Sequence, residues 1–249
     1  MIRLSRAAAA VGAAAVLGLA VPAARAVIPS PEKLTEAVAQ ANRSGGRAGP
    51  VLLEVTLTIG DGPAAATGVL ATHPTGLARL ELRSHRGFVE RHLLQGSQHT
   101  ASRDGELIER PRHFLPPVFL LQATSGAALS AALGSFGIAA DEAVLGRVGD
   151  YDCYVFGGRL PPVLERQKRL LPSMWVDLET YEVVRIDGTD GVRYRFGPTQ
   201  DFDGIRVPRW IAIEAPGEPP ARLDIVKATQ ANAPAAAFGR DWLSAPPAP

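Results

Sequence analysis

Val51, Leu53, Val55, Leu57 and Ile59 alternate with Leu52, Glu54, Thr56 and Thr58, and this period of two recurs along most of the chain. Ala78, Leu80 and Leu82 alternate with Arg79, Glu81 and Arg83, and Val192, Tyr194 and Phe196 with Arg193 and Arg195. Successive strand side chains point to opposite faces, so an apolar row beside a charged row describes an antiparallel sheet with one covered face. Further strands are expected at 67–72, 88–94, 98–103, 106–109, 144–148 and 151–157. Ile205, Val207, Ile211 and Ile213 share one face, as do Leu223 and Ile225. Gly96-Ser97 reads as a two-residue turn that pairs Leu94 with His99 and sets His92 opposite Ala101. The patterns predict a mainly β chain of about ten to twelve strands with two or three helices.

The helices interrupt this rhythm at two places. Ser30, Pro31 and Glu32 are the cap, first-position and first-turn residues of a helix carrying Leu34, Ala37, Val38 and Ala41 on one stripe. Thr124 to Phe136 is the second helix, with Leu129, Ala132, Leu133 and Phe136 on one face and Gly137 closing it. Between strands and helix lies HFLPPVFLL, residues 113–121, whose Pro116 and Pro117 rule out a central strand. Residues 160–172 form a Pro-bounded link with the basic stretch ERQKRLL.

Residues 1–26 have the form of a cleaved export signal: Arg3 and Arg6, a small-residue apolar stretch from Ala7 to Ala20, then Ala24-Arg25-Ala26. The apolar stretch is shorter than the roughly 20 residues of a membrane-spanning helix. A periplasmic protein is therefore expected, with a single domain over 27–243 and a disordered Pro/Ala-rich tail at 244–249. Lys+Arg number 26 and Asp+Glu 25, a balance without the broad positive field that nucleic acid requires. One cysteine excludes an internal disulfide framework.

Sharper chemistry finds little support in the spacing. The five histidines, His73, His85, His92, His99 and His113, include no H-x-x-x-H pair; exposed strand positions are expected for them and no metal site. No G-x-S-x-G elbow occurs, and Ser125-Gly126 reads as a helix cap. Cys153 reads as a small buried hydrophobe. Asp150/Asp152, Asp187/Asp190 and Asp201/Asp203 sit beside glycines and read as turn residues. Arg166-Gln167-Lys168-Arg169 reads as a solvated helix face, with contact to anionic headgroups or a protein as the alternative.

The second half carries a resemblance. Met174-Trp175-Val176-Asp177-Leu178-Glu179-Thr180 resembles the W-[IV]-D-x-x-T hairpin of lipoprotein-sorting (Lol-type) carriers, and Val183-Val184-Arg185-Ile186 its return strand. Asp203-Gly204-Ile205-Arg206-Val207-Pro208 resembles their D-G-x-x-x-P step. Residues 225–238, with Asn232, Pro234 and Phe238, resemble their terminal strand. The order of elements matches over 31–238, the motif residues only from 174 onwards.

The resemblance implies an incomplete antiparallel β-barrel wrapped around helices, a hydrophobic cavity for acyl chains, and no covalent chemistry. On that reading the ligand is a lipid or an acylated lipoprotein, bound by a monomer without cofactor or metal. An inner- or outer-membrane protein is the further partner expected. Leu115, Val118, Phe119, Leu120 and Leu121 would form a movable wall, continued by Leu129, Leu133 and Phe136, with Tyr194 and Phe196 on the sheet side; the alternative is that the wall residues are simply packed core. The alternative within the same fold is an envelope-lipid sensor that regulates a protein partner.

Overall fold

Alternation becomes strand wherever the sequence shows it, and the strands join edge to edge in nearly sequential order. The computed structural model describes residues 28–42, 49–157 and 172–245. The export signal, the 160–171 part of the basic link and residues 246–249 of the tail lie outside these, and Ser244 ends a short helix.

Helix α1 (Pro31–Ala41) precedes β1 (Val51–Ile59), β2 (Ala64–His73), β3 (Leu77–Ser84), β4 (Val89–Gln95), β5 (Gln98–Arg103) and the two-residue β6 (Glu106–Leu107). A 3-10 helix (Val118–Gln122) and α2 (Gly126–Ser135) follow. The second half contains β7 (Ala143–Val148), β8 (Tyr151–Phe156), β9 (Ser173–Asp177), β10 (Val183–Asp187) and β11 (Arg193–Phe196). It ends with β12 (Thr199–Phe202), β13 (Ile205–Pro208), β14 (Trp210–Glu214), β15 (Ala221–Gln230) and α3 (Asp241–Ser244).

Thirteen strands form one antiparallel sheet in the order β6-β5-β4-β3-β2-β1-β15-β14-β11-β10-β9-β8-β7, with β12 and β13 as a separate hairpin. The sheet is mainly β architecture left open: β6 and β7 are its two edges and do not pair. The fifteen strands among the described residues exceed the expected ten to twelve. Residues 205–213 divide at Arg209, after Pro208, whose nitrogen carries no hydrogen for a ladder. The predicted hairpin register holds, with Leu94 opposite His99 and His92 opposite Ala101.

One sheet face packs on α1, the 3-10 helix and α2. Leu53, Leu70, Leu80, Ile211 and Leu223 from the sheet share a core with Leu34, Val38, Phe119, Leu129 and Leu133. Ser125 caps α2 as expected, its hydroxyl accepting from the Ala128 N–H at 3.2 Å. Ser30 occupies the cap position of α1 without a side-chain cap bond, and the buried stripe there is Leu34, Thr35, Val38 and Ala39. The opposite sheet face carries a second, smaller core of Ala71, Leu93, Phe238 and Leu243. There the C-terminal segment lies across β2–β4, with the Arg79 guanidinium between the Phe238 and Trp242 rings at 5.3 and 5.1 Å.

Candidate functional site

The residues expected to line an acyl cavity meet in one place. Leu115, Val118, Phe119, Leu120, Leu121, Leu129, Leu133, Phe136, Tyr194 and Phe196 all belong to the large core between sheet and helices. They are packed against one another: Phe119 and Phe136 meet edge to face at 6.3 Å, and Phe119, Leu129 and Leu133 are fully buried. Burial pushes the Tyr194 hydroxyl far up, so it stays protonated.

Open space lies beside that core, where the β1–β2 and β3–β4 turns converge with residues 112–114. A cavity of about 580 Å³ is walled there by Leu57, Ile59, Ala66, Leu82, Phe88 and Phe114. His85, Arg86, Glu90, Arg103 and Arg112 also line it, as does Ala65. The sequence shows the inward rows of β1 and β3, but not that their ends stay uncovered while their middles meet the helices. Phe114, beside the expected Leu115, is the one lining aromatic from the Pro-rich segment.

A chain of ionisable groups starts at this cavity and returns to it. Arg103 pairs with Glu90 at 3.1 Å, and Glu90 lies 3.0 Å from Nε2 of His92. His92 Nδ1 and His99 Nε2 are 3.1 Å apart, and the His99 ring lies 5.6 Å from that of His113. His113 reaches Asp190 at 3.1 Å and Glu218 at 3.5 Å, and Glu218 pairs with Arg112 at 3.3 Å. This corrects the expectation of exposed strand histidines, since His92 is fully buried and His99 and His113 are half-buried; His85 alone of the five is exposed. Strand β4 is covered on both faces, which two adjacent leucines, Leu93-Leu94, could have signalled.

The charges follow from this packing. Burial, together with His92 and His113, lowers His99 to about 3, leaving it neutral. The hydrogen bond to Asp190 raises His113 despite partial burial, with Glu218 adding to the effect. Burial would raise Glu90, but His92 and Arg103 outweigh it and its pKa falls. Among the described residues no group of three or more His, Cys, Asp and Glu side chains is arranged to hold a metal ion.

The other singled-out residues have structural work. Cys153 is buried and its thiol is pushed up to about 11, chiefly by burial. Asp201 accepts from the Gly204 N–H and Asp190 from the Val192 N–H, as turn residues do. Asp187 differs from that expectation: it is a buried hub in β10 accepting from Ser173, Trp175, Arg185 and Arg193. The Trp175–Thr180 motif is a hairpin tied by Asp177, whose Oδ1 accepts from the Glu179 and Thr180 N–H groups and the Thr180 hydroxyl. Asp203 and Gly204 both adopt positive φ (52° and 87°), the turn conformation that an Asp-Gly pair supplies.

No protein-family profile and no curated protein matches the sequence. Among solved structures, a LolA superfamily protein from Nitrosomonas europaea superposes with a TM-score of 0.52 at 10% identity, over 87% of this chain and 100% of that one. A putative outer membrane lipoprotein-sorting protein domain from Vibrio parahaemolyticus gives 0.50 at 10% identity, over 86% of this chain and 100% of that one.

The chain has the LolA-type fold. Its large antiparallel sheet is left open, and its helices pack on one face of that sheet. Among the described residues no helix is long and apolar enough to cross a membrane.

Proposed function

We propose that this protein is a periplasmic carrier of lipids or acylated lipoproteins, acting by burial and without covalent chemistry. The observation that carries the reading is an open, thirteen-stranded sheet around helices with an apolar cavity at one end. Each methylene buried there contributes about 0.8 kcal/mol, so an acyl chain binds without a dedicated polar partner. The cavity falls within the roughly 300–1,000 Å³ range of small-molecule sites.

The adjoining core supplies further room if residues 113–121 swing outward. The backbone bonds of that segment, Phe114 to Arg112, Val118 to Pro116 and Leu120 to Pro117, are local and do not tie it into the sheet. Burial of Leu115, Val118, Phe119 and Leu121, and the ion pairs of His113, hold it in place. Such a segment moves as a lid when acyl chains replace its own side chains against Tyr194 and Phe196.

The test is native mass spectrometry of the exported protein purified without detergent, with solvent extraction of the same sample. Co-purified acylated species at one per chain are expected. A clean unliganded mass, unchanged after incubation with phospholipid vesicles or a triacylated peptide, would end the carrier reading.

A further inference from the structure

The lining of the cavity is not neutral. Three arginines, Arg86, Arg103 and Arg112, face one carboxylate, Glu90. Glu90 is already engaged by Arg103 and by His92, and Arg112 is engaged by Glu218. Arg86, exposed on the β3–β4 turn, has no acidic partner among the described residues. The apolar wall of Leu57, Ile59, Leu82 and Phe114 thus shares its cavity with one guanidinium, that of Arg86, beyond those held in ion pairs. Arg103 and Arg112 are each braced over an aromatic ring of the same wall, Phe88 at 4.5 Å and Phe114 at 4.6 Å. An apolar slot whose rim carries a guanidinium without an acidic partner among the described residues matches a ligand with an apolar chain and an anionic end, because carboxylate and phosphate accept the paired N–H groups of arginine.

We infer that this cavity selects single acyl chains bearing a negatively charged headgroup, carboxylate or phosphate, with Arg86 as the headgroup contact and Arg112 and Arg103 as its supports. The inference rests on the carrier reading and names the ligand class for it. The chain lies along Leu57, Ile59 and Leu82, and the headgroup faces solvent at the turn that carries Arg86. Arg103 and Arg112 hold Glu90 and Glu218 in ion pairs, which keeps both carboxylates from repelling the incoming anion. An uncharged amphiphile of the same length gains the burial and forgoes the charge-assisted bonds.

Isothermal titration of the signal-free protein with dodecanoate, dodecyl phosphate, dodecanol and inorganic phosphate tests this directly. Dodecanoate and dodecyl phosphate are expected to bind at one per chain, about tenfold or more tighter than dodecanol, the ratio of one charge-assisted contact. Arg86→Gln, an exposed change, should lower affinity for both anions several-fold and leave dodecanol unchanged. Ala65→Trp, at a half-buried lining position, should weaken all three chain ligands and so place them in this cavity. Equal binding of dodecanol and dodecanoate by wild type would overturn the headgroup inference while leaving the carrier reading intact. So would an Arg86→Gln protein that keeps the wild-type preference, or inorganic phosphate competing as well as dodecyl phosphate. No binding of any chain ligand would remove both. The preferred anion distinguishes a fatty-acid source from a phospholipid one.

Discussion

Glu36 of α1 accepts a hydrogen bond of 2.6 Å from the backbone N–H of Gly126, the first residue of α2. The carboxylate thereby satisfies an otherwise orphaned donor at the positive end of that helix. The two helices approach so closely that a Cβ on Gly126 would stand 2.7 Å from the Glu36 nitrogen. Gly126→Ala should therefore destabilise the protein by about 2 kcal/mol, as overpacking against backbone does. Glu36→Gln should cost about 1 kcal/mol through loss of the charged acceptor. Urea unfolding midpoints check both, and an unchanged Gly126→Ala midpoint would mean that the helices separate freely.

Phe119 is fully buried where the sheet, the 3-10 helix and α2 meet. Phe119→Ala should destabilise by about 3–5 kcal/mol, the range for emptying an aromatic site in a rigid core. In an acyl carrier the lost side chain leaves room that a ligand fills. A saturating acyl ligand should then restore more of the melting temperature in the variant than in wild type, as measured by thermal unfolding with and without dodecanoate.

His99 and His113 respond to acid in opposite directions. His99 is held to about 3 in the folded state, so below its unfolded value near 6.5 the unfolded chain takes up a proton that the fold refuses. Stability from this group is full above about pH 6.5 and falls as the pH drops toward 3. The folded pKa of His113 is raised, so its contribution is full below about 6.5 and is lost as the pH rises through the folded value. Melting temperatures from pH 4 to 8.5 should show less acid destabilisation in His99→Gln than in wild type. His113→Gln should lose more stability at pH 5.5 than at pH 8.5. Parallel curves for all three proteins would contradict the assignment.

Cys153 is shielded on β8 and its thiol ionises only near pH 11. A thiolate reagent such as iodoacetamide should leave the folded protein unmodified for hours at pH 8 and label it within minutes in urea. Mass spectrometry before and after unfolding checks this. Rapid labelling of the folded protein would show that β7–β9 opens readily.

The sequence carries the sheet because each face of a strand repeats every second residue, so Val51–Ile59 announces its inward row locally. It carries the β4–β5 register for the same reason, since Gly96-Ser97 fixes which residues face each other. It does not carry what covers the outward row. His92 looked exposed because nothing near it in the chain shows that β5 and residues 113–114 close over it. Arg79 stands in a charged row that reads as solvent-facing, but Phe238 and Trp242 from far along the chain rest on it. Asp187 sat in a run of Asp and Gly that suggests a turn, but the strand continues through it to the arginines of β10 and β11. The apolar core was legible as composition and helix face. The cavity was not, because empty space arises where strand ends outrun the helices that cover them.

The place of β15 in the sheet bears on how such a chain is made. Residues 221–230 lie between β1 and β14, so the seam joining the two halves is synthesised only after both of them. Before it arrives, the β1–β6 meander and the β7–β14 half expose the edges that β15 later joins. The long-range pairing that completes the sheet is slow to form for reasons of chain entropy. A chain whose two flanks are made before the strand that sits between them keeps those flanks unjoined until that strand is available.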